Sequence, residues 1–224
     1  MNKRSQPDKG MIFDFNGTLF QDSLQQENAW RIFARQALQR TITDSELQKY
    51  IHGRSNDSIL RFFIGKPLSA KEILTLSEEK EKLYRRLCIE QLSFNLAPGA
   101  EALLTNLKLR NIPRAIGTAS GKKNVDFYLK RLNLNRWFES DSIVYNDGSL
   151  QGKPAPDIYL KAARSLHLFP EQCTVFEDAV SGIQEAVSAK IGRIIVIAPL
   201  EKHNFFKSMT GVSDVIENFY DFRL

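Results

Sequence analysis

Cysteine is scarce in this 224-residue chain. Cys88 and Cys173 are the only two; they lie far apart in apolar surroundings, which excludes a disulfide scaffold and a cysteine metal knuckle and predicts a protein of the reducing cytoplasm. Of the three histidines, His167 and His203 sit in helical or loop sequence without the spacing of a metal site. Long apolar runs are missing too. The longest, Ile194–Ala198, falls far short of the about 20 residues that a bilayer-spanning helix needs. The first ten residues are polar and lack the apolar core of an export signal, so the expectation is a soluble, unexported chain with no membrane partner. A basic stripe is absent as well. The net charge of +5 and pI near 9.2 suit an anionic partner such as a phosphate ester. Yet Lys71, Lys80, Lys82, Arg85 and Arg86 are scattered through helical sequence without interleaved aromatics, which excludes a nucleic-acid-reading surface.

What is present is ordinary in bulk. Hydrophobic residues make up 42% and charged residues 25%, as in folded globular chains, and the length allows one sizeable core or a core plus a small second unit. There is no internal repeat, low-complexity tract or long linker. Gly10–Phe15 is a short apolar run that stops at Asn16-Gly17-Thr18, which reads as a buried strand with Asp14 at its end. Helical sequence follows. Ser23 with Gln26 forms a possible capping box before Trp30, Phe33, Ala34, Ala37 and Leu38 at helical spacing. Thr43 with Glu46 opens a helix expected to end at Gly53, and Ser69 with Glu72 opens a longer one carrying Ile73, Leu76, Leu83, Tyr84 and Leu87. From Pro98 the rhythm becomes alternating, with strands at Ile112–Thr118, Ser142–Tyr145, Thr174–Glu177 and Arg193–Ala198. Helices between them start near Pro98, Lys122, Asp157 and Ser181. The pattern predicts an α/β fold, a parallel sheet with helices on both faces formed by residues 1–21 and 94–224. An inserted all-α cap domain, residues 22–93, interrupts it after the first strand.

Ligands of open parallel sheets bind beyond the carboxyl ends of the strands. Four polar motifs fall there: Asp14-Phe15-Asn16-Gly17-Thr18, Gly117-Thr118-Ala119-Ser120, Lys153-Pro154-Ala155-Pro156-Asp157, and Glu177-Asp178 with Gly182. Singly, each has a plain structural reading: a turn residue, a strand-end cap, a surface lysine, an acidic pair at a helix N-terminus. Together, at successive strand ends, they make a site.

In this order, and with the helical insert after the first of them, the motifs resemble the haloacid dehalogenase superfamily and, within it, the β-phosphoglucomutase-like phosphatases and mutases. The resemblance covers nearly the whole chain from Gly10. It implies a Rossmann-like core, a helical cap, Mg²⁺ as cofactor and phosphoryl transfer on a small phosphorylated metabolite such as a sugar or polyol phosphate. The residues support this chemistry. Asp14 can attack phosphorus only where a cation and positive donors offset the negative charges. Asp14, Asp178 and the Asn16 backbone carbonyl would hold Mg²⁺, with Glu177 acting directly or through a water. The Thr118 hydroxyl and the N–H groups of Ala119 and Ser120 would donate to phosphate oxygens, and Lys153 places a point charge beside them. Lys122 is a further possible contact.

One residue departs from the family pattern. Two places after the nucleophile the family usually carries a second Asp that protonates the leaving oxygen and later activates water; here it is Asn16. An amide exchanges no proton at neutral pH, so acid–base help worth about 10²–10⁴ in rate is lost. Alkyl phosphates should then turn over slowly, and acyl or aryl phosphates should suffer less. A slow or specialised enzyme, a binding or regulatory descendant and a laboratory substitution all stay open. Glu27 is a possible replacement carboxylate. In the insert, Gly53 and Arg54 fall at a turn that in related sugar-phosphate enzymes faces the substrate, and Lys80 with Tyr84 resembles the substrate-contacting pair of β-phosphoglucomutases. The leading expectation is a Mg²⁺-dependent phosphohydrolase; a mutase and a low-activity phospholigand-binding protein are the alternatives.

Overall fold

A computed structural model describes residues 10–51, 54–91 and 94–224. Six strands, β1 (Gly10–Phe13), β2 (Arg114–Thr118), β3 (Ile143–Tyr145), β4 (Cys173–Glu177), β5 (Arg193–Ile197) and β6 (Asp214–Ile216), form one sheet in the order β3-β2-β1-β4-β5-β6. Every neighbouring pair is parallel. β1 is central and buried on both faces, which suits its uncharged sequence. Its residues alternate between two cores: Met11 and Phe13 join Leu104, Ile116 and Phe176 on one face, while Ile12 joins Ala115, Ile158, Val175 and Ile194 on the other. Phe13 stacks on Phe176 with ring centroids 4.8 Å apart.

Between β1 and β2 lie α1 (Ser23–Ala37), α2 (Asp44–Glu46), α3 (Asn56–Ile64) and α4 (Ala70–Glu90), followed by α5 (Ala100–Leu109). The helices from α1 to α4 enclose their own cluster, which includes Trp30, Phe33, Ile42, Ile59, Leu60 and Phe63. Beyond β2 come α6 (Lys122–Leu132), α7 (Asp157–Ser165), α8 (Val180–Ser188) and α9 (His203–Lys207). No helix among the described residues is long and apolar enough to cross a membrane.

The elements differ from the sequence reading at their ends. β1 stops at Phe13 rather than Phe15, because the Asp14 N–H makes its last sheet-like bond to the Phe176 carbonyl (3.0 Å) and the chain then turns, Phe20 N–H donating back to the Phe15 carbonyl (2.9 Å). The turn needs Gly17, which sits at φ 84°. β2 begins after Pro113, which offers no N–H. Both capping boxes at Thr43/Glu46 and Ser69/Glu72 form as expected, but Ser23/Gln26 does not. Asp22 occupies the N-cap position of α1 without a side-chain capping bond; its carbonyl accepts the Gln26 N–H (3.0 Å) and its Oδ2 the Gln26 side-chain amide (3.1 Å). The helix opened by Thr43 widens to π winding over Leu47–Ile51; its expected end, Gly53, lies outside the described residues. β6 was not read from the sequence, since two apolar residues after Asp214 carry too little periodicity.

Candidate active site

The pairing of β1 with β4 sets Phe13 opposite Phe176, so the next residues, Asp14 and Glu177, stand side by side at the carboxyl ends of the two strands. Lys153, in the loop before α7, reaches between them: its Nζ donates to Asp14 Oδ1 (2.8 Å) and also to Glu177 Oε1. Glu177 Oε1 accepts a second bond from Tyr159 Oη (2.9 Å), and Glu177 Oε2 accepts from the N–H groups of Asp178 (2.7 Å) and Ala179 (2.8 Å). Both oxygens of this fully buried carboxylate are therefore occupied by protein donors. Space around it is minimal, because a Cβ on Gly182 would stand 1.6 Å from Glu177 Oε1.

The first and last motifs interlock directly. Thr18 Oγ1 donates to Asp178 Oδ1 (3.2 Å), and a Cβ on Gly17 would meet Asp178 Oδ2 at 2.1 Å. Carboxylate oxygens of Asp14, Glu177 and Asp178 all lie within 4.8 Å of one another. Burial pushes the Asp14 carboxyl up to about 7, Lys153 pulling against it and Glu177 adding to it. Asp178 is also held well above the usual carboxylate range, by burial and then by the charges of Glu177 and Asp14. Burial works against the Lys153 ammonium, but Asp14 and Glu177 outweigh it and raise its pKa. Three carboxyls against one ammonium form an oxygen-donor set that fits a hard divalent cation. A cavity of about 370 Å³ opens at Asp178 and is lined by Gly17, Gln21, Ser23, Pro199, Lys202 and Glu217 among others.

Asn16 is turned into a different set of partners. Its Nδ2 donates to Asp22 Oδ2 (2.7 Å) and Tyr128 Oη (3.0 Å), with Tyr84 Oη at 3.3 Å, and its Oδ1 accepts from Ser120 Oγ (2.8 Å). Asp22 also accepts from Tyr84 Oη (2.5 Å) and the Gly17 N–H (3.0 Å). Its carboxyl is raised by burial, against the pull of these donors. The carboxylate beside Asn16 is thus Asp22, in the place considered for Glu27.

Of the residues singled out in the sequence, Asp14, Lys153, Glu177 and Asp178 come together, and Asn16 joins Ser120. Thr118 is buried at the end of β2, its Oγ1 accepting the Ser120 N–H (3.1 Å), while Ala119 is exposed. Lys122 pairs with Asp126 on its own helix (2.8 Å). Arg54 is exposed ahead of α3, and no described contact joins it to the cluster. Lys80 and Tyr84 are corrected: both are buried, Lys80 held by Gln26 and Glu81 (2.7 Å each) and Tyr84 by Asp22, so neither offers a free face to a ligand. Thr18 and Tyr159 went unnoticed. Thr18 stood inside the first motif and was legible there; Tyr159 carried no signal, because its partner comes from another strand.

The Asp14 carboxylate, bridged by lysine to an acidic pair at the carboxyl ends of a parallel sheet, stands where ligands of such sheets bind. Residues 9–190 match the family model described as haloacid dehalogenase-like hydrolase. The chain is 31% identical over 193 residues to hexitol phosphatase A of Escherichia coli (86% of this chain, 85% of that one). It is 32% identical over 190 residues to β-phosphoglucomutase of Bacillus subtilis (81% and 80%). A HAD hydrolase of family IA, variant 3, from Entamoeba histolytica superposes with a TM-score of 0.90 at 34% identity, covering 96% of both chains. The chain belongs to the haloacid dehalogenase-like hydrolase family.

Proposed function

We propose that this chain is a Mg²⁺-dependent phosphohydrolase of small sugar or polyol phosphates that works through an aspartyl-phosphate on Asp14. The observation that carries this reading is the Lys153 bridge between Asp14 and Glu177, with Asp178 alongside. The likeness to a hexitol phosphatase and a β-phosphoglucomutase favours the substrate class.

In this mechanism an Asp14 oxygen attacks phosphorus as the bond to the leaving oxygen breaks, and water then cleaves the acyl phosphate to free Asp14. Asp14, Asp178 and the Asn16 carbonyl would hold Mg²⁺, which when bound neutralises charge between carboxylate and phosphate. Glu177, with both oxygens engaged, contributes by fixing Lys153 and by contact through a water. Lys153, Thr118, Ala119 and Ser120 take the phosphate oxygens. Residues 22–93 act as a cap over the core of residues 1–21 and 94–224, with Arg54 facing the substrate. Asn16 supplies no proton, so alkyl phosphates are slow substrates.

The saturated hydrogen bonds of Asn16 favour a second reading, a phospholigand-binding protein with little turnover. Screening phosphorylated metabolites with Mg²⁺ for phosphate release and for covalent phosphorylation of Asp14 separates the two. Release that Asp14→Asn abolishes supports the hydrolase. Binding of phosphorylated ligands with neither release nor labelling supports the binder and overturns the hydrolase.

A further inference from the structure

Asn16 stands two residues after Asp14, yet both polar atoms of its side chain are already engaged by protein groups. One amide N–H points at Asp22 Oδ2 and the other at the tyrosine pair, while its carbonyl is held by Ser120. The pocket that receives it is buried and built from three distant elements. Asp22 precedes α1, Tyr84 comes from α4 and Tyr128 from α6, and Tyr128 Oη donates to Tyr84 Oη (3.0 Å), which donates to Asp22. Tyr84, Tyr128 and Asp22 are all closed off from solvent. Asp22 Oδ2 also accepts from Gln26 Nε2 (3.1 Å) and Tyr84 Oη (2.5 Å), and as a carboxylate it takes a further donor from position 16.

We propose that Asp22 is a positioning residue that holds the Asn16 carboxamide in this pocket beside Ser120, and that the amide–carboxylate match between positions 16 and 22 is what keeps it there. The inference rests on the reading of Asp14 as nucleophile only for its effect on turnover; the pairing itself is independent of it. A carboxylate at position 16 would set two acceptors 2.7 Å apart in a buried pocket, which like-charge repulsion and desolvation oppose. That repulsion expels the new side chain from the pocket towards the cleft in front of Asp14. Exchanging the two residues restores one donor facing one carboxylate between positions 16 and 22 and holds the position-16 side chain inside, at the cost of setting an amide at position 22 against the Gly17 N–H and Gln26 Nε2 that now donate to Asp22.

The test compares Asn16→Asp, Asp22→Asn and the exchange Asn16→Asp/Asp22→Asn by thermal unfolding and by hydrolysis of an alkyl phosphate. Asn16→Asp is expected to lower Tm by roughly 3–10 °C, the loss for one unmatched buried polar pair in a chain of this size. The exchange is expected to recover part of it. Hydrolysis should be faster in Asn16→Asp than in the exchange, because only the expelled carboxylate reaches the leaving oxygen. An exchange variant no more stable than Asn16→Asp overturns the pairing, and one that hydrolyses as fast or faster overturns the positioning role. Should Asn16→Asp alone give no soluble protein, a soluble exchange variant is the same recovery and an insoluble one the same refutation. If no variant hydrolyses any substrate, the phosphohydrolase reading fails, while the Tm comparison still decides the pairing.

Discussion

At the scale of single residues, protons and charge govern this site. If Asn16 limits turnover because it lacks an exchangeable proton, Asn16→Asp should raise alkyl phosphate hydrolysis by about 10²–10⁴, the usual worth of a positioned acid or base. An aryl phosphate with a good leaving group should gain less where phosphoryl transfer to Asp14 limits. Asp14→Asn in the same background should abolish both. Steady-state rates on the two substrates check this, and an unchanged alkyl rate in a folded, Mg²⁺-binding variant counts against it. Asp14 also carries a pH signature. Its folded pKa of about 7 lies above the ordinary 3.8, so it contributes stability that is present at low pH and lost as pH rises through 7. Asp178 and Glu185 are shifted the same way, Glu185 to about 7 by burial first. In chelator, Tm should therefore fall between pH 5 and pH 8. The rise in Tm on adding Mg²⁺ should be larger at pH 8, since cation and proton compete for the same oxygens. Equal Mg²⁺ stabilisation at both pH values would contradict the shared site.

Between elements, close approach decides the geometry. α8 begins so near the end of β4 that position 182 has no room for a side chain: a Cβ there falls 1.6 Å from Glu177 Oε1. Gly182→Ala must displace the carboxylate that holds Lys153 or push α8 away from the sheet. Overpacking of this kind costs about 1–3 kcal/mol, or a Tm fall of about 3–10 °C for this size of chain. Because Glu177 is moved, Mg²⁺ affinity and hydrolysis should fall as well, whereas a purely structural glycine would lower Tm alone. Calorimetry and a Mg²⁺ titration read the two effects separately. Tyr159 Oη at Glu177 Oε1 shows the same dependence between α7 and β4.

Across the molecule, the helical insert is tied to the sheet-bearing part through α4 and α6. Arg85 Nη1 donates to Asn124 Oδ1 (2.6 Å) and Asn124 Nδ2 donates to Glu81 Oε2 (2.7 Å), so both ends of one buried amide hold α4. Lys123 and Glu78 add an ion pair at 3.4 Å beside them. If the insert is a moving cap, Asn124→Leu should raise amide exchange in α4 without lowering protection in β1 or β4. A phosphate analogue with Mg²⁺ should increase protection in the insert of the unmodified chain. Exchange in α4 that stays unchanged in both experiments would argue for a fixed insert.

Local signals determined much of this protein before any coordinates. The buried strand ending at Asp14, the capping boxes at Thr43 and Ser69, the alternation after Pro98 and the four motifs at strand ends are all short-range patterns, written within a few residues by backbone and side-chain periodicity. The resemblance to the family rested on those motifs, their order and the helical insert after the first of them. Only the tertiary structure decided which side chains meet. Asn16 bonds to Tyr84 across 68 residues of sequence and to Tyr128 across 112, Tyr159 reaches Glu177 from a different element, and Lys80, which looked available on its helix, is enclosed between α1 and α4. Hydrogen bonds and burial depend on distances in space, and a residue's polarity gives no record of the partner that folding brings to it. The sequence could therefore name Asn16 as the departure from the pattern, while its partner Asp22 emerged only once α1, α4 and α6 had converged on the loop after β1.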